Sequence, residues 1–336
     1  MTTLLQPNEL CPNDPHLSWA GAISLQESDA WTMPWRLPYA QRDLFPPVEL
    51  QARTAMAAGV RLTFVSNTRT VTGAIEPFPE LSPIDLCCDG KFIGSVPLDG
   101  QDRFYFADLP AGEKVIELWL PQFGEFRLKS LTLDTGATVS AYTDTRPRWI
   151  TYGSSITQCR TAASPTQTWP ALVAQARNFN LTCLGFGGQC HLDPMLARLI
   201  RDLPADYLSI CVGINIYGAA SLSPRTFRPA IIGFVQLVRE KHPDTPFAVL
   251  SPIVSPPRET TPNAVGFTLA AMREEVAAAV AALQAAGDRH LHYVNGLEIF
   301  GASYAHLLPD DLHPDAEGYR VMGRHFTEKV ANQFFG

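Results

Sequence analysis

The period of the apolar residues changes once along this chain, and that change limits the folds open to it. Before residue 146, apolar and polar residues alternate in short runs broken by turn residues. After it, short continuous apolar runs alternate with longer stretches of helical spacing. Arg61–Ser66 alternates and stops at Asn67–Thr68. Ile84–Cys88 runs into Asp89–Gly90, a hairpin dipeptide, and resumes at Phe92–Ile93. Asp99–Gly100 reads as a second turn of that kind. Phe104–Phe106, Lys114–Leu120 and Phe126–Leu133 continue the rhythm. Short strands at this spacing predict an all-β sandwich or jelly roll.

Thr143–Asp144–Thr145–Arg146–Pro147 is a polar hinge with a proline, which puts the expected boundary near residue 146. The expected division is a β-sandwich accessory domain over 1–146 and an α/β domain over 147–336. In the second part the pattern predicts strands over 148–152, 181–185, 207–212, 247–251 and 291–295. Helices are predicted over 169–177, 194–202, 224–241, 267–286 and 316–335. This βαβ alternation means a parallel sheet with helices on both faces. In such sheets a site lies beyond the carboxyl ends of the strands.

Composition removes several functions. The formal net charge is −7 and no basic block is visible, which argues against a nucleic-acid partner. No apolar run reaches the length of a membrane span, and the N-terminal residues lack the basic and apolar regions of a signal peptide. A soluble, cytoplasmic protein is expected. The seven cysteines are odd in number and form no CxxC pair, so neither a zinc ribbon nor a thioredoxin-like motif has support. Buried free thiols are the expectation, with Cys159 and Cys190 close enough to the motifs below to line a pocket or simply to pack. Trp19, Trp31, Trp35 and Tyr39 read as packing side chains rather than a sugar-stacking platform.

The chemistry lies in four blocks, each just after a predicted strand or in the last loop: Gly153–Ser154–Ser155–Ile156–Thr157, Gly185–Phe186–Gly187–Gly188–Gln189, Gly213–Ile214–Asn215 and Asp310–Asp311–Leu312–His313–Pro314. A serine at a strand-to-helix turn is held clear of the sheet. Acyl transfer needs such a nucleophile, a base and an orienter for the base. Ser155 is the candidate nucleophile, His313 the base and Asp310 the orienter. The Ser155 N–H, the Gly188 N–H and the Asn215 side-chain amide are candidate oxyanion donors. Ser154 competes with Ser155, and Asp311 with Asp310.

These blocks resemble the SGNH hydrolase superfamily, also called GDSL-type esterases and lipases. The family's Gly-Asp-Ser-x-(Thr) motif matches Gly153 to Thr157 and puts Ser155 in the nucleophile position. Ser154 stands where the family commonly has Asp. Gly188 matches the second block, Gly213–Asn215 the Gly-x-Asn block, and Asp310 with His313 the Asp-x-x-His block, over about residues 148–336. The resemblance implies a flavodoxin-like three-layer α/β/α fold, serine hydrolysis of esters, and no metal or other cofactor. The first domain is similar to the jelly-roll domains that precede some carbohydrate esterases.

The expected substrate is a small-molecule ester of a short acyl group, acetyl first, on a sugar or similar polar alcohol. The Pro-stiffened loop 251–259 is placed to wall a pocket, with Arg258 and Gln189 as candidate substrate contacts. A broader acyl esterase or thioesterase is the alternative within enzymes. A glycan-binding module or a scaffold subunit is the alternative outside them. No nucleic-acid or membrane partner is expected. A homo-oligomer is the common prior for a soluble enzyme.

Overall fold

The computed structural model describes residues 8–336. Residues 1–7, which carry most of the stretch read above for a leader, lie outside the described residues. The chain forms two compact units. One holds the described residues up to Arg42, with Thr54–Thr145 and Ser164–Thr166. The other holds Asp43–Arg53, Arg146–Ala163 and Gln167–Gly336.

The first unit is a sandwich of two antiparallel sheets. One orders Ser24–Glu27, Thr32–Trp35, Leu128–Leu133, Val71–Ile75 and Arg103–Phe106, with Asn8–Leu10 also paired to Leu128–Leu133. The other orders Val139–Ser140, Arg61–Ser66, Lys114–Trp119, Ile84–Cys88 and Lys91–Val96, with Ser18–Ala20 also on Arg61–Ser66. Alternate side chains of both sheets, among them Leu62, Phe64, Ile75, Phe104, Ile116 and Leu131, form its core. The apolar phase of Phe126–Leu133 slips by one residue, and a register shift between Leu128 and Ser130 absorbs the extra residue. Asp89 and Gly90 both have positive φ, as a two-residue hairpin turn requires, and join paired strands. Asp99–Gly100 departs from expectation. Only Gly100 is left-handed, and the flanking strands lie in different sheets, so this turn passes the chain across the sandwich. The aromatic segment is packed: Trp35 lies on Tyr39 with ring centres 5.0 Å apart, and the Arg127 guanidinium lies 4.8 Å from the centre of the Trp31 ring.

The second unit has a five-stranded parallel sheet ordered Asn180–Gly185, Arg148–Gly153, Tyr207–Cys211, Phe247–Leu250, Leu291–Val294. In chain order this is 2-1-3-4-5, the flavodoxin-like arrangement. All four residues of Phe247–Leu250 are buried, which explains the unbroken apolar run. Helices Trp169–Arg177 and Ala316–Phe326 pack on each other. Pro194–Asp202 packs on Pro224–Arg239, which packs on Leu269–Ala285. The predicted closing helix loses its α-register after Phe326 and runs through a π-turn at Thr327–Ala331. Trp149, fully buried, is the hub of an aromatic cluster with Trp169, Phe179, Phe326 and Phe335. Among the described residues, no helix is long and apolar enough to cross a membrane.

Two glycines let the sheet carry the helix that follows its first strand. A methyl on Gly153 would come within 3.0 Å of the Thr157 side chain. One on Gly185 would come within 3.0 Å of the Thr157 and Gln158 backbone, which cannot swing away. Gly185→Ala is expected to cost about 2 kcal/mol or more in urea unfolding through overpacking. Gly233→Ala, in helix Pro224–Arg239 with nothing within 4 Å of the new methyl, should instead gain about 0.5–1 kcal/mol. Equal effects at the two sites would refute the close-approach argument.

Candidate active site

The strand Arg148–Gly153 ends at the glycine, and a single helical turn, Ser155–Gln158, follows. Ser154 is its cap: extended at φ −86°, 2 % exposed, its Oγ accepts the Ile156 N–H at 3.2 Å. Ser155 is the first helical residue and only half-buried. The two neighbouring serines therefore have different surroundings, and Ser155 is the one that faces a histidine.

Ser155 Oγ lies 2.8 Å from His313 Nε2. His313 Nδ1 lies 2.6 Å from Asp310 Oδ2. Asp310 Oδ1 also accepts the His313 N–H at 2.7 Å and the Leu312 N–H at 3.1 Å. The chain can make this tight loop because Asp311 takes a left-handed φ of 59°. Asp311 turns its carbonyl elsewhere, accepting from Ser255 Oγ at 2.6 Å. Asp310, not Asp311, thus meets the imidazole. With Nδ1–H donated to Asp310, Nε2 is left as the acceptor for the Ser155 hydroxyl proton.

Partial burial acts to raise the Asp310 pKa. The hydrogen bonds from the His313 ring, the His313 N–H and the Leu312 N–H outweigh it and hold the carboxyl below its ordinary value.

Asn215 sits in helix Ile214–Ala219, behind Gly213 at φ 123°. Its Oδ1 accepts the Cys190 N–H at 3.0 Å, which leaves the Nδ2 hydrogens on the other arm of the amide. Gly188 has φ 76°, and a methyl there would meet nothing within 4 Å, so the space above it is open. Gln189 follows it, half-buried. The loop positions are held by residues that the sequence did not announce. Gly187 donates its N–H to Gln158 Oε1 at 2.9 Å and accepts from Arg53 Nε at 3.2 Å. His191 Nε2 lies 3.0 Å from the Gly188 carbonyl. Gln158 is three residues past Ser155 on the same turn, a spacing that offered a signal. Arg53 is in helix Val48–Thr54, far upstream, and offered none.

A narrow apolar cleft of about 10 Å³ is lined by Ile156, Val212, Ile214 and Leu312, each within three residues of a candidate site residue, and by Pro252–Ser255. The Pro-rich loop therefore walls a cleft. Buried Arg273 holds that loop, donating to the carbonyls of Pro252 and Ile253 and pairing with Glu259 at 2.6 Å. Arg258 Nη1 donates to Ser255 Oγ at 2.8 Å and to the Asp311 carbonyl at 3.3 Å, bracing the two loops together. Cys159 is fully buried, its thiol on the Ile156 carbonyl at 3.2 Å, and Cys190 is 1 % exposed. The cysteine that lines the cleft is Cys211, whose thiol burial pushes up to about 12. Cys11 is the exposed exception among the free thiols. Among the described residues, no group of three His, Cys, Asp or Glu could hold a metal ion.

A serine hydroxyl 2.8 Å from a carboxylate-oriented imidazole, beyond the carboxyl ends of a 2-1-3-4-5 parallel sheet, is the arrangement of an SGNH-type fold. Residues 151–321 match the GDSL-like lipase/acylhydrolase family, and residues 17–129 match the N-terminal domain of SsfX3. The chain belongs to the GDSL-like lipase/acylhydrolase family. It is similar over 97% of both chains, at 35% identity and a TM-score of 0.90, to the salicylyl-acyltransferase SsfX3 from a tetracycline biosynthetic pathway. A family two carbohydrate esterase from Cellvibrio japonicus shares the two-part fold at 16% identity and a TM-score of 0.66, over 97% of this chain and 98% of that one. An acetyl xylan esterase from Butyrivibrio proteoclasticus does so at 12% identity and a TM-score of 0.63, over 98% of both chains. No curated protein sequence matches.

The lowered Asp310 pKa has a consequence for stability. A carboxyl whose folded pKa lies below its unfolded value of about 3.9 stabilises the fold above that pH. The contribution is lost as the pH falls through the folded value. The side chain is 54% exposed, so the effect is well under 1 kcal/mol. Asp310→Asn should melt slightly below the wild type at pH 7, with the gap narrowing as the pH falls below about 4. Melting curves across that range check it, and a gap that widens in acid contradicts the sign.

Proposed function

We propose that this chain is a serine esterase that removes short acyl groups, acetyl first among them, from a sugar or another small polar alcohol. The observation that carries the reading is the continuous relay from Ser155 Oγ through His313 to Asp310, at 2.8 and 2.6 Å. Ser155 Oγ attacks the ester carbonyl as His313 Nε2 takes its proton. Asp310 holds the ring and stabilises the imidazolium. The carbonyl oxygen, now negative, is met by the Ser155 N–H, the Gly188 N–H and the Asn215 amide, each worth roughly 3 kcal/mol to the transition state. His313 then protonates the departing alkoxide, leaving an acyl-serine. Water, deprotonated by the same histidine, releases the acid and restores Ser155.

The apolar cleft supports a small acyl group. Its volume of about 10 Å³ has room for one water-sized group, which an acetyl methyl satisfies. The carbohydrate-esterase neighbours support a sugar as the alcohol, by likeness of fold.

A second reading has its own support. SsfX3, at 35% identity, is a salicylyl-acyltransferase, and the same acyl-serine can pass its acyl group to an alcohol instead of water. An aromatic acyl group is larger than the cleft of about 10 Å³ beside Pro252–Ser255.

p-Nitrophenyl acetate, butyrate and octanoate, with and without an added alcohol acceptor, test both readings. The wild type is expected to prefer acetate, and Ser155→Ala to lose about 10³-fold or more. Fluorophosphonate should label Ser155 in the wild type alone. Activity retained by Ser155→Ala would remove this serine as the nucleophile. Rates for p-nitrophenyl salicylate above those for acetate, with ester product in alcohol, would favour the transferase.

Leu312→Ala opens the cleft by about three methylene groups. Its butyrate-to-acetate ratio of kcat/KM should rise by roughly 10-fold, at ~0.8 kcal/mol for each CH₂ newly buried. An unchanged ratio would show that the acyl chain lies elsewhere.

A further inference from the structure

Three groups outside the Ser155–His313–Asp310 relay converge on the glycine loop. Arg53 Nε donates to the Gly187 carbonyl at 3.2 Å, and the Gly187 N–H donates to Gln158 Oε1 at 2.9 Å. His191 Nε2 lies 3.0 Å from the Gly188 carbonyl, with its other nitrogen 2.8 Å from Ser221 Oγ. In a trans peptide the carbonyl of one residue and the N–H of the next are coplanar and point in opposite directions. A donor that holds the Gly187 carbonyl therefore also sets the direction of the Gly188 N–H. When that donor is cationic, it draws electron density from the amide and makes the N–H a stronger donor on the far side.

We propose that Arg53 is a positioning residue for acyl transfer: through the Gly187 carbonyl it orients and polarises the Gly188 N–H toward the developing oxyanion. This rests on the esterase reading above. The segment Asp43–Arg53 groups with the C-terminal unit, and the bond joins residues 134 apart in sequence. Arg53 is also near the chemistry. An ideal methyl on Gly187 would lie 3.5 Å from Arg53 Nε and 3.6 Å from Ser155 Cβ, so these two atoms are at most about 7 Å apart. Both polar groups of Gly187 are engaged, its N–H by Gln158 Oε1 at 2.9 Å and its carbonyl by Arg53 Nε at 3.2 Å, which opposes rotation of its two peptide planes. Glycine is otherwise the residue most able to rotate its peptide planes. Two adjacent glycines without outside bonds would leave the Gly188 N–H free to point in several directions.

The test uses the full chain. Steady-state hydrolysis of p-nitrophenyl acetate is measured for the wild type, Arg53→Ala and Arg53→Lys, each with a melting curve, and for Arg53→Ala with added guanidinium at non-denaturing concentration. Arg53→Ala is expected to lower kcat about 10- to 100-fold, less than outright loss of a donor, with KM within about twofold. Its melting temperature should stay near the wild type. Arg53→Lys should recover part of kcat, and guanidinium should raise kcat of Arg53→Ala but not of the wild type. A wild-type kcat in Arg53→Ala overturns the proposal. So does a loss confined to KM, which would make Arg53 a substrate contact. A loss that follows a lowered melting temperature and that neither lysine nor guanidinium restores makes it structural only, and also overturns it. Fluorophosphonate labelling separates the two levels. A wild type that neither hydrolyses nor takes the label removes the esterase reading and this one with it. A labelled wild type beside a fully active Arg53→Ala removes only the role of Arg53.

Discussion

Everything at the candidate site depends on how closely one helical turn lies against two strand ends. Ser155–Gln158 sits where Gly153 and Gly185, neighbours in the parallel sheet, have no side chains to hold it off. Larger residues there would lift the turn and carry Ser155 away from His313, which comes from a loop 158 residues further along the chain. A displacement of 1 Å is enough to spoil a hydrogen bond of 2.8 Å. The sheet's parallel topology matters for the same reason. It brings the carboxyl ends of Arg148–Gly153, Asn180–Gly185 and Tyr207–Cys211 together, so that the three blocks following them share one edge.

The candidate site groups are held by hydrogen bonds from neighbouring residues. Asn215 has its amide oxygen held by the Cys190 N–H, which decides where its nitrogen points. Gly187 has both its N–H and its carbonyl engaged, which decides where the following N–H points. Asp310 accepts three hydrogen bonds, two of them from backbone, and so presents its second oxygen to His313 in one orientation. In each case a bond on one side of the group fixes the direction in which its other side points. Such groups need little reorganisation when charge develops, which is the condition under which fixed dipoles stabilise a transition state best.

The sequence showed the layout of the second unit well because its physical causes are local. Buried parallel strands read as unbroken apolar runs, and the helices between them carry their own caps. Thr168 before Trp169–Pro170 and Asp315 before Ala316 are examples. The four blocks were legible because strand-end turns need glycine and small polar residues, whatever lies around them. Partners distant in sequence were not legible. The bonds of Arg258 to Ser255 and Asp311 are an example, because nothing in its own neighbourhood tells which carbonyl its guanidinium will find. Arg53 on a short helix looks like any solvated basic residue until the fold brings it to Gly187. Asp99–Gly100 shows the same limit in the sandwich. The turn follows from the dipeptide, but which sheet receives the next strand depends on pairings with Val71–Ile75.

The segment Asp43–Arg53 makes the C-terminal unit discontinuous in the chain, with Thr54–Thr145 intervening. On the ribosome this piece emerges first. It then waits while the sandwich strands are made, on the order of five to twenty seconds at usual elongation rates, before the sheet that will receive it exists. The C-terminal unit is therefore not built from one continuous stretch of chain. A fragment begun at the hinge near residue 146 would contain every motif residue of the family and still lack a part of its own unit.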